Sequence, residues 1–217
     1  MWAKESQASS DFQIDRLVVG PLMTNCYILS SGGECLILDP GDDAARILQR
    51  VSDSHLKLRA VVSTHGHFDH LLAAGKVSKE LGVPFCLHEM DRDTLTKFWG
   101  LASRHGAAGK PPVPDIYLQG DEFWDIGGRK VSIIPTPGHT SGSISILAGN
   151  RLFTGDTLFN GSIGRTDIGG ENHAMVRSLR KIMSLPEDTG IFPGHGEPTT
   201  IGMELDTMRY FIKLLGT

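Results

Sequence analysis

The 217-residue sequence has 40% hydrophobic and 21% charged residues and a formal net charge of −4. A chain of this length and balance buries a core of its own, which excludes extensive disorder and any need for disulfide staples. The acidic balance and the lack of a long basic run argue against a nucleic-acid partner, and no apolar stretch nears the ~20 residues of a membrane-spanning helix.

Residues 1–11 read as a short lead-in in which Lys4, Glu5 and Asp11 leave no apolar signal core, pointing to a cytoplasmic protein. Residues 12–19, 25–30 and 35–39 read as strands, the second and third joined by a hairpin-like turn at Ser31-Gly32-Gly33. Asp39-Pro40-Gly41 then breaks the sheet, and Asp42 is placed to cap a helix with Ile47, Leu48 and Val51 on its inner face. Residues 58–63 form a buried strand. Asp69 and His70 lead into a helix with Leu72, Ala73, Val77 and Leu81 at helical spacing, ended by Gly82. A strand over 85–88 and a helix over 90–99 follow. Residues 100–114, rich in Gly, Ala and Pro, read as a mobile surface loop.

Residues 130–135, 143–148 and 151–154 are further strands. The helix over 171–185 shows Met175, Val176, Leu179 and Ile182 on one side. A strand at 191–192 and a helix carrying Leu205, Met208, Phe211, Ile212 and Leu215 close the chain. No fixed-period repeat interrupts the pattern, so a single α/β domain spanning 1–217 is expected, with sheets covered by helices in a sandwich. Cys26, Cys35 and Cys86 each lie in an apolar run without a neighbouring cysteine, and read as buried strand residues.

Three short loops, each directly after an apolar strand, hold five of the nine histidines. They are Thr64-His65-Gly66-His67-Phe68-Asp69-His70, Pro137-Gly138-His139-Thr140 and Phe192-Pro193-Gly194-His195-Gly196. A fourth strand end, Phe153-Thr154-Gly155-Asp156-Thr157, carries a carboxylate. Imidazole and carboxylate together suit zinc, iron or manganese, zinc foremost. Seven such groups exceed the roughly four that one tetrahedral zinc takes. They match two divalent ions that share a bridging carboxylate and keep an open position. Gly66, Gly138, Gly155, Gly194 and Gly196 would let the backbone turn beside this crowded centre. A structural zinc site would fill every position and favour cysteine. Packed imidazoles without an ion would repel one another when protonated.

The segment from Thr64 to His70 resembles the HxHxDH signature of the metallo-β-lactamase superfamily, and Gly138-His139, Gly155-Asp156 and Gly194-His195 match its later motifs in order. Thr154-Gly155-Asp156-Thr157-Leu158-Phe159 and Gly161-Ser162-Ile163-Gly164-Arg165-Thr166-Asp167 are similar to the small glyoxalase II-like hydrolases. The resemblance implies an αββα four-layer sandwich of two mixed sheets flanked by helices, with the metals at the sheet edge. It implies one ion on His65, His67 and His139, another on Asp69, His70 and His195, and Asp156 between them. It further implies a hydroxyacylglutathione hydrolase-like reaction, with S-D-lactoylglutathione or a similar thioester as the small-molecule substrate.

Two cations would supply hydroxide near neutral pH and stabilise the oxyanion, with Asp69 orienting the nucleophile or accepting a proton. The thiolate leaves readily, so no strong general acid is demanded. The sequence departs from the long glyoxalase II pattern. It lacks the extra C-terminal helical region, and Arg165-Thr166-Asp167 replaces the basic-aromatic-tyrosine pattern. Asp156 also stands where one class of zinc β-lactamase has cysteine. Arg165 is the candidate partner for a substrate carboxylate. His55, His88, His105 and His173 are expected to bind no metal, and Trp99 and Trp124 to pack. The competing readings are a mononuclear-iron persulfide dioxygenase using His65, His139 and Asp156, a lactonase, a nuclease, which would want a basic arm, and a non-enzymatic metal module.

Overall fold

A computed structural model describes residues 12–105 and 110–216. The expected lead-in over 1–11 and residues 106–109 of the expected loop lie outside them.

The first half of the chain supplies β1 (Gln13–Val19), β2 (Thr24–Ser31), β3 (Glu34–Leu38), α1 (Ala44–Ser54), β4 (Lys57–Val62), α2 (Ala74–Leu81), β5 (Phe85–His88), α3 (Arg92–Ala102) and β6 (Ile116–Leu118). The second half supplies β7 (Glu122–Ile126), β8 (Arg129–Pro135), β9 (Ile144–Ala148), β10 (Arg151–Gly155), the short β11 (Leu158–Phe159) and β12 (Ser162–Ile163), α4 (Asn172–Met183), β13 (Gly190–Pro193), β14 (Thr199–Thr200) and α5 (Ile201–Leu215). Strands β1 to β6 line up in sequence order in one sheet, and the other runs β14-β13-β10-β9-β8-β7. Both are mixed. β1, β2 and β3 pair antiparallel and β3 to β6 parallel, while β10 and β13 are a parallel pair in an otherwise antiparallel sheet.

The period of two along each strand sorts the side chains into layers. On β2, Tyr27 and Leu29 join a core between the sheets with Leu36, Val62, Val131, Ile146 and Phe153. Cys26 and Ile28 point the other way, onto a second core with Ile47 and Val51 of α1, Val77 of α2 and Leu95 of α3. On the far side Leu152 and Ile191 meet Met175, Leu179 and Ile182 of α4 and Met208 of α5. Three cores between four layers make the αββα sandwich. Cys26, Cys35 and Cys86 are all buried strand residues, as their apolar runs implied. Trp99 and Trp124 pack against the cores. Among the described residues no helix is long and apolar enough to cross a membrane.

Several boundaries differ from expectation. Asp43, not Asp42, precedes α1, and its side chain does not cap the helix. Its carboxylate accepts from Gly20 N at 3.1 Å and so holds the β1–β2 turn instead, while Asp42 Oδ1 accepts from the adjacent Asp43 N at 2.7 Å. No helix grows directly from Asp69 and His70. The segment makes a single 3-10 turn, Phe68–His70, and α2 starts only at Ala74; Ala73 N donates to Pro40 O, which holds the chain across the sheet end. Gly82 ends α2 at φ +65°, as expected. The residues expected to open a loop at 100 continue α3 to Ala102 and a 3-10 turn, Ser103–His105. Strands β6 and β7 escaped the pattern because one is three residues long and the other is a partly exposed edge strand with Glu122, Phe123 and Asp125.

Candidate metal centre

The strands of both sheets deliver their loops to one end of the sandwich. His65 and His67 follow β4, His139 follows β8, Asp156 follows β10 at once, and His195 follows β13. Cross-sheet bonds lock this end. Asn25 N donates to Gly194 O at 2.7 Å, Asn25 Nδ2 to Gly196 O at 2.8 Å, and the buried Tyr27 hydroxyl to Pro193 O at 2.7 Å. Loops carried on such a framework are well suited to hold reactive side chains in place.

All seven residues singled out from the sequence come together. His67 Nδ1 lies 3.1 Å from His65 Nε2 and 2.9 Å from His139 Nε2. A second set meets beside it, with His195 Nε2 3.2 Å from His70 Nε2 and 3.3 Å from Asp69 Oδ2. Asp156 stands between, its Oδ1 3.3 Å from His70 Nε2 and its Oδ2 3.6 Å from His139 Nε2 and 3.7 Å from His195 Nε2. Three overlapping groups, His65/His67/His139, His65/His70/Asp156 and Asp69/His70/His195, each present one ligand atom per residue, all within 4.8 Å of one another.

This donor set fits metal ions. Nitrogens bound ~2.1 Å from one ion sit roughly 3–3.4 Å apart, which is the spacing of the imidazoles. Asp156 Oδ1 and His67 Nε2 are buried with no hydrogen-bond partner, and His70 Nδ1 lies 3.0 Å from Asp39 Oδ2 without hydrogen-bond alignment. A buried carboxylate oxygen with no donor is costly unless a cation faces it.

Protonation favours the same outcome. Burial pushes the His65 imidazole well below its ordinary value, with His70 and His67 adding to the effect, and burial with His139 brings His67 down to about 4. Both are therefore neutral, lone pair available, at physiological pH. For Asp156, burial is outweighed by His70, which holds the carboxyl far below the carboxylate range, and Asp69 is lowered in the same way. For His70 burial is outweighed by Asp156, Asp39 and Asp69, and for His195 by the Asp69 hydrogen bond and Asp156, so carboxylates raise both. Where those two imidazoles carry protons, an arriving cation displaces them.

Contacts behind the candidate ligands set their tautomers. A carbonyl only accepts, so His139 Nδ1 donates to Arg165 O at 2.7 Å and leaves Nε2 free to ligate. Thr64 Oγ1 donates to Asp39 Oδ2 at 2.9 Å and so accepts from His65 Nδ1 at 3.2 Å, turning His65 Nε2 inward. Asp39 Oδ1 also accepts from Thr64 N at 2.6 Å. Asp39, 2% exposed, is thus a support that the sequence reading passed over as part of a sheet-breaking turn. A second buried carboxylate, Asp91, was passed over as well.

The guanidinium of Arg165 is engaged by Asp167 at 2.7 and 2.9 Å and is largely exposed; its carbonyl, not its side chain, touches the site. His88 Nδ1 accepts from Met90 N at 3.2 Å and stays outside the cluster.

Among the five glycines noted from the sequence, Gly138, Gly155 and Gly196 do have positive φ. Gly194 does not, and serves by close approach. A Cβ there would lie 2.4 Å from Asp156 Oδ1 and 2.5 Å from His70 Cε1. Gly194→Ala is expected to displace both side chains and weaken metal binding roughly 10- to 100-fold, the scale for disturbing a ligand's support. Titration against a competing chelator measures it.

A family model described as the metallo-beta-lactamase superfamily matches residues 19–195. The chain belongs to this superfamily. Within it, the chain is 34% identical over 199 residues to the hydroxyacylglutathione hydrolase GloC of Haemophilus influenzae, covering 88% of this chain and 94% of that protein. The BLEG-1 B3 metallo-beta-lactamase superposes with a TM-score of 0.83 at 35% identity, over 92% of this chain and 99% of its own. TTHA1623, solved in a di-iron-bound form, superposes at 0.80 with 34% identity, over 89% and 98%. The sandwich is the metallo-beta-lactamase fold, and its histidine-rich site fits a dinuclear metal centre.

Proposed function

We propose that this chain is a metal-dependent thioester hydrolase of the hydroxyacylglutathione hydrolase type. The observation that carries the reading is the completeness of both halves of the centre: three imidazoles on one side, Asp69, His70 and His195 on the other, and Asp156 reaching both. The likeness to GloC supports the choice of thioester.

His65, His67 and His139 would hold one divalent ion, and Asp69, His70 and His195 the other, with Asp156 shared. Zinc is the expected metal, and iron and manganese suit the same donors. When bound, the pair supplies Lewis-acid polarisation of a carbonyl and makes hydroxide available at neutral pH. Asp69, its Oδ2 3.3 Å from His195 Nε2 and partly exposed, orients the attacking water and accepts its proton. The thiolate departs without a protein acid. Arg165 receives a substrate carboxylate in exchange for Asp167. The substrate is a small cytoplasmic thioester, and neither nucleic acid nor membrane takes part. The whole chain acts as one domain.

A persulfide dioxygenase would need one iron on His65, His139 and Asp156 and gives no task to the second half. The discriminating assay offers the metal-loaded protein S-D-lactoylglutathione, a β-lactam, an acyl lactone and, with oxygen monitored, glutathione persulfide. Thioester cleavage at least tenfold above the other hydrolyses supports the reading. Preferred cleavage of the lactam or lactone, or oxygen uptake, overturns it.

A further inference from the structure

His65 and His67 point together towards the centre, Nε2 of one 3.1 Å from Nδ1 of the other, with Gly66 between them. Behind it lies Asp91, directly before α3, with no exposed surface. Asp91 Oδ2 accepts from Gly66 N at 2.7 Å and from Thr140 Oγ1 at 2.7 Å. Its Oδ1 accepts from Gly142 N at 2.9 Å and from Thr94 Oγ1 at 3.1 Å. One carboxylate thus joins the loop of His65 and His67, which leaves the first sheet, to the loop of His139, which leaves the second. A single backbone bond, Ile144 N to Thr64 O at 2.9 Å, supplements it. The approach is close enough that a Cβ on Gly66 would lie 2.9 Å from Asp91 O, and one on Gly142 2.7 Å from Asp91 Cγ.

Three of the four donors, Thr94, Thr140 and Gly142, lie outside the loops of Asp69, Asp156 and His195; the fourth, Gly66, stands between His65 and His67, and the later part of its loop has a hold of its own, Ser63 Oγ donating to His70 O at 3.1 Å. We propose that Asp91 is the positioning residue of the three-imidazole half of the centre: it sets the spacing of His65, His67 and His139, and so the affinity of that half for its cation far more than that of the other half. The proposal rests on the two-ion reading of the site. Asparagine at this position turns an NH2 towards either Gly66 N or Gly142 N. Both are backbone donors that cannot rotate away, so one loop must move.

The test isolates each half in the full chain. His195→Ala leaves the three-imidazole set intact, and His67→Ala leaves Asp69, His70 and His195 intact. Cobalt(II) is titrated into metal-free protein against a competing chelator, its visible absorption reporting occupancy. Adding Asp91→Asn in the His195→Ala background is expected to weaken cobalt binding roughly 10- to 100-fold, and in the His67→Ala background to change it less than twofold. Thr140→Val, which deletes one donor and keeps the side-chain volume, gives the same pattern more weakly and replaces Asp91→Asn should that variant not fold. Thr94→Val, which loosens Asp91 only from α3, leaves both affinities unchanged. Equal weakening in both backgrounds, or none in either, overturns the proposal. Wild-type protein that takes up no pair of cobalt ions overturns the two-ion reading, and the proposal with it.

Discussion

Asp156→Ala is expected to lower thioester hydrolysis by roughly a thousandfold and to leave fewer than two metal ions per chain. The reason is its place between the halves, with Oδ1 3.3 Å from His70 Nε2 and Oδ2 3.6 Å from His139 Nε2. Lewis-acid stabilisation of developing charge is worth several kcal/mol, and each ~1.4 kcal/mol is a factor of ten in rate. The residue contributes little to the cores, which are built from Leu152, Phe153 and their neighbours, so the variant should fold. Steady-state kcat/KM and metal analysis on the same preparation check it. A variant that keeps two ions and acts within tenfold of wild type would show that Asp156 bridges nothing.

Asp39→Ala is expected to act on metal binding and stability together. Asp39 accepts from the backbone and hydroxyl of Thr64 and faces His70 Nδ1 at 3.0 Å, so it governs the orientation of His65 and His70, one from each half. Its loss leaves the buried Thr64 N–H without a partner, which costs roughly 1–3 kcal/mol. Asp39 also sits at φ +50°, where alanine is disfavoured. Metal affinity is expected to fall roughly 10- to 100-fold. Asp39→Asn keeps the turn, since asparagine tolerates the left-handed region, but faces Thr64 N with an amide in one orientation and His70 in the other. It should recover stability before it recovers affinity. Denaturant melts of metal-free protein and chelator competition separate the two effects. Full metal affinity in both variants would make Asp39 a purely structural residue.

The seven side chains that cluster at the candidate centre were legible in the sequence because their chemistry is local. Four of them lie within the six residues from His65 to His70, and the others each follow an apolar strand and a glycine. The sandwich was legible for a similar reason, since alternation on β2 and helical spacing on α4 each record which face is buried. The supports were not. Asp39 lies 25 residues from Thr64, and the loop donors to Asp91 lie 25, 49 and 51 residues away, so nothing in either neighbourhood announces the contact. Asp91 sits in a run that reads as helix, and its carboxylate is spent on other loops rather than on capping α3. The expected helix after His70 failed for a related reason: the residues that converge on the centre hold the chain in bends and a 3-10 turn before α2 can begin.

The most direct test of the central claim is the metal content of purified protein, followed through removal and return. Two divalent ions per chain, loss of S-D-lactoylglutathione cleavage on chelation and its recovery at two equivalents of zinc are the predicted results. One iron per chain, no thioester cleavage at any metal loading and oxygen uptake with glutathione persulfide would contradict the account.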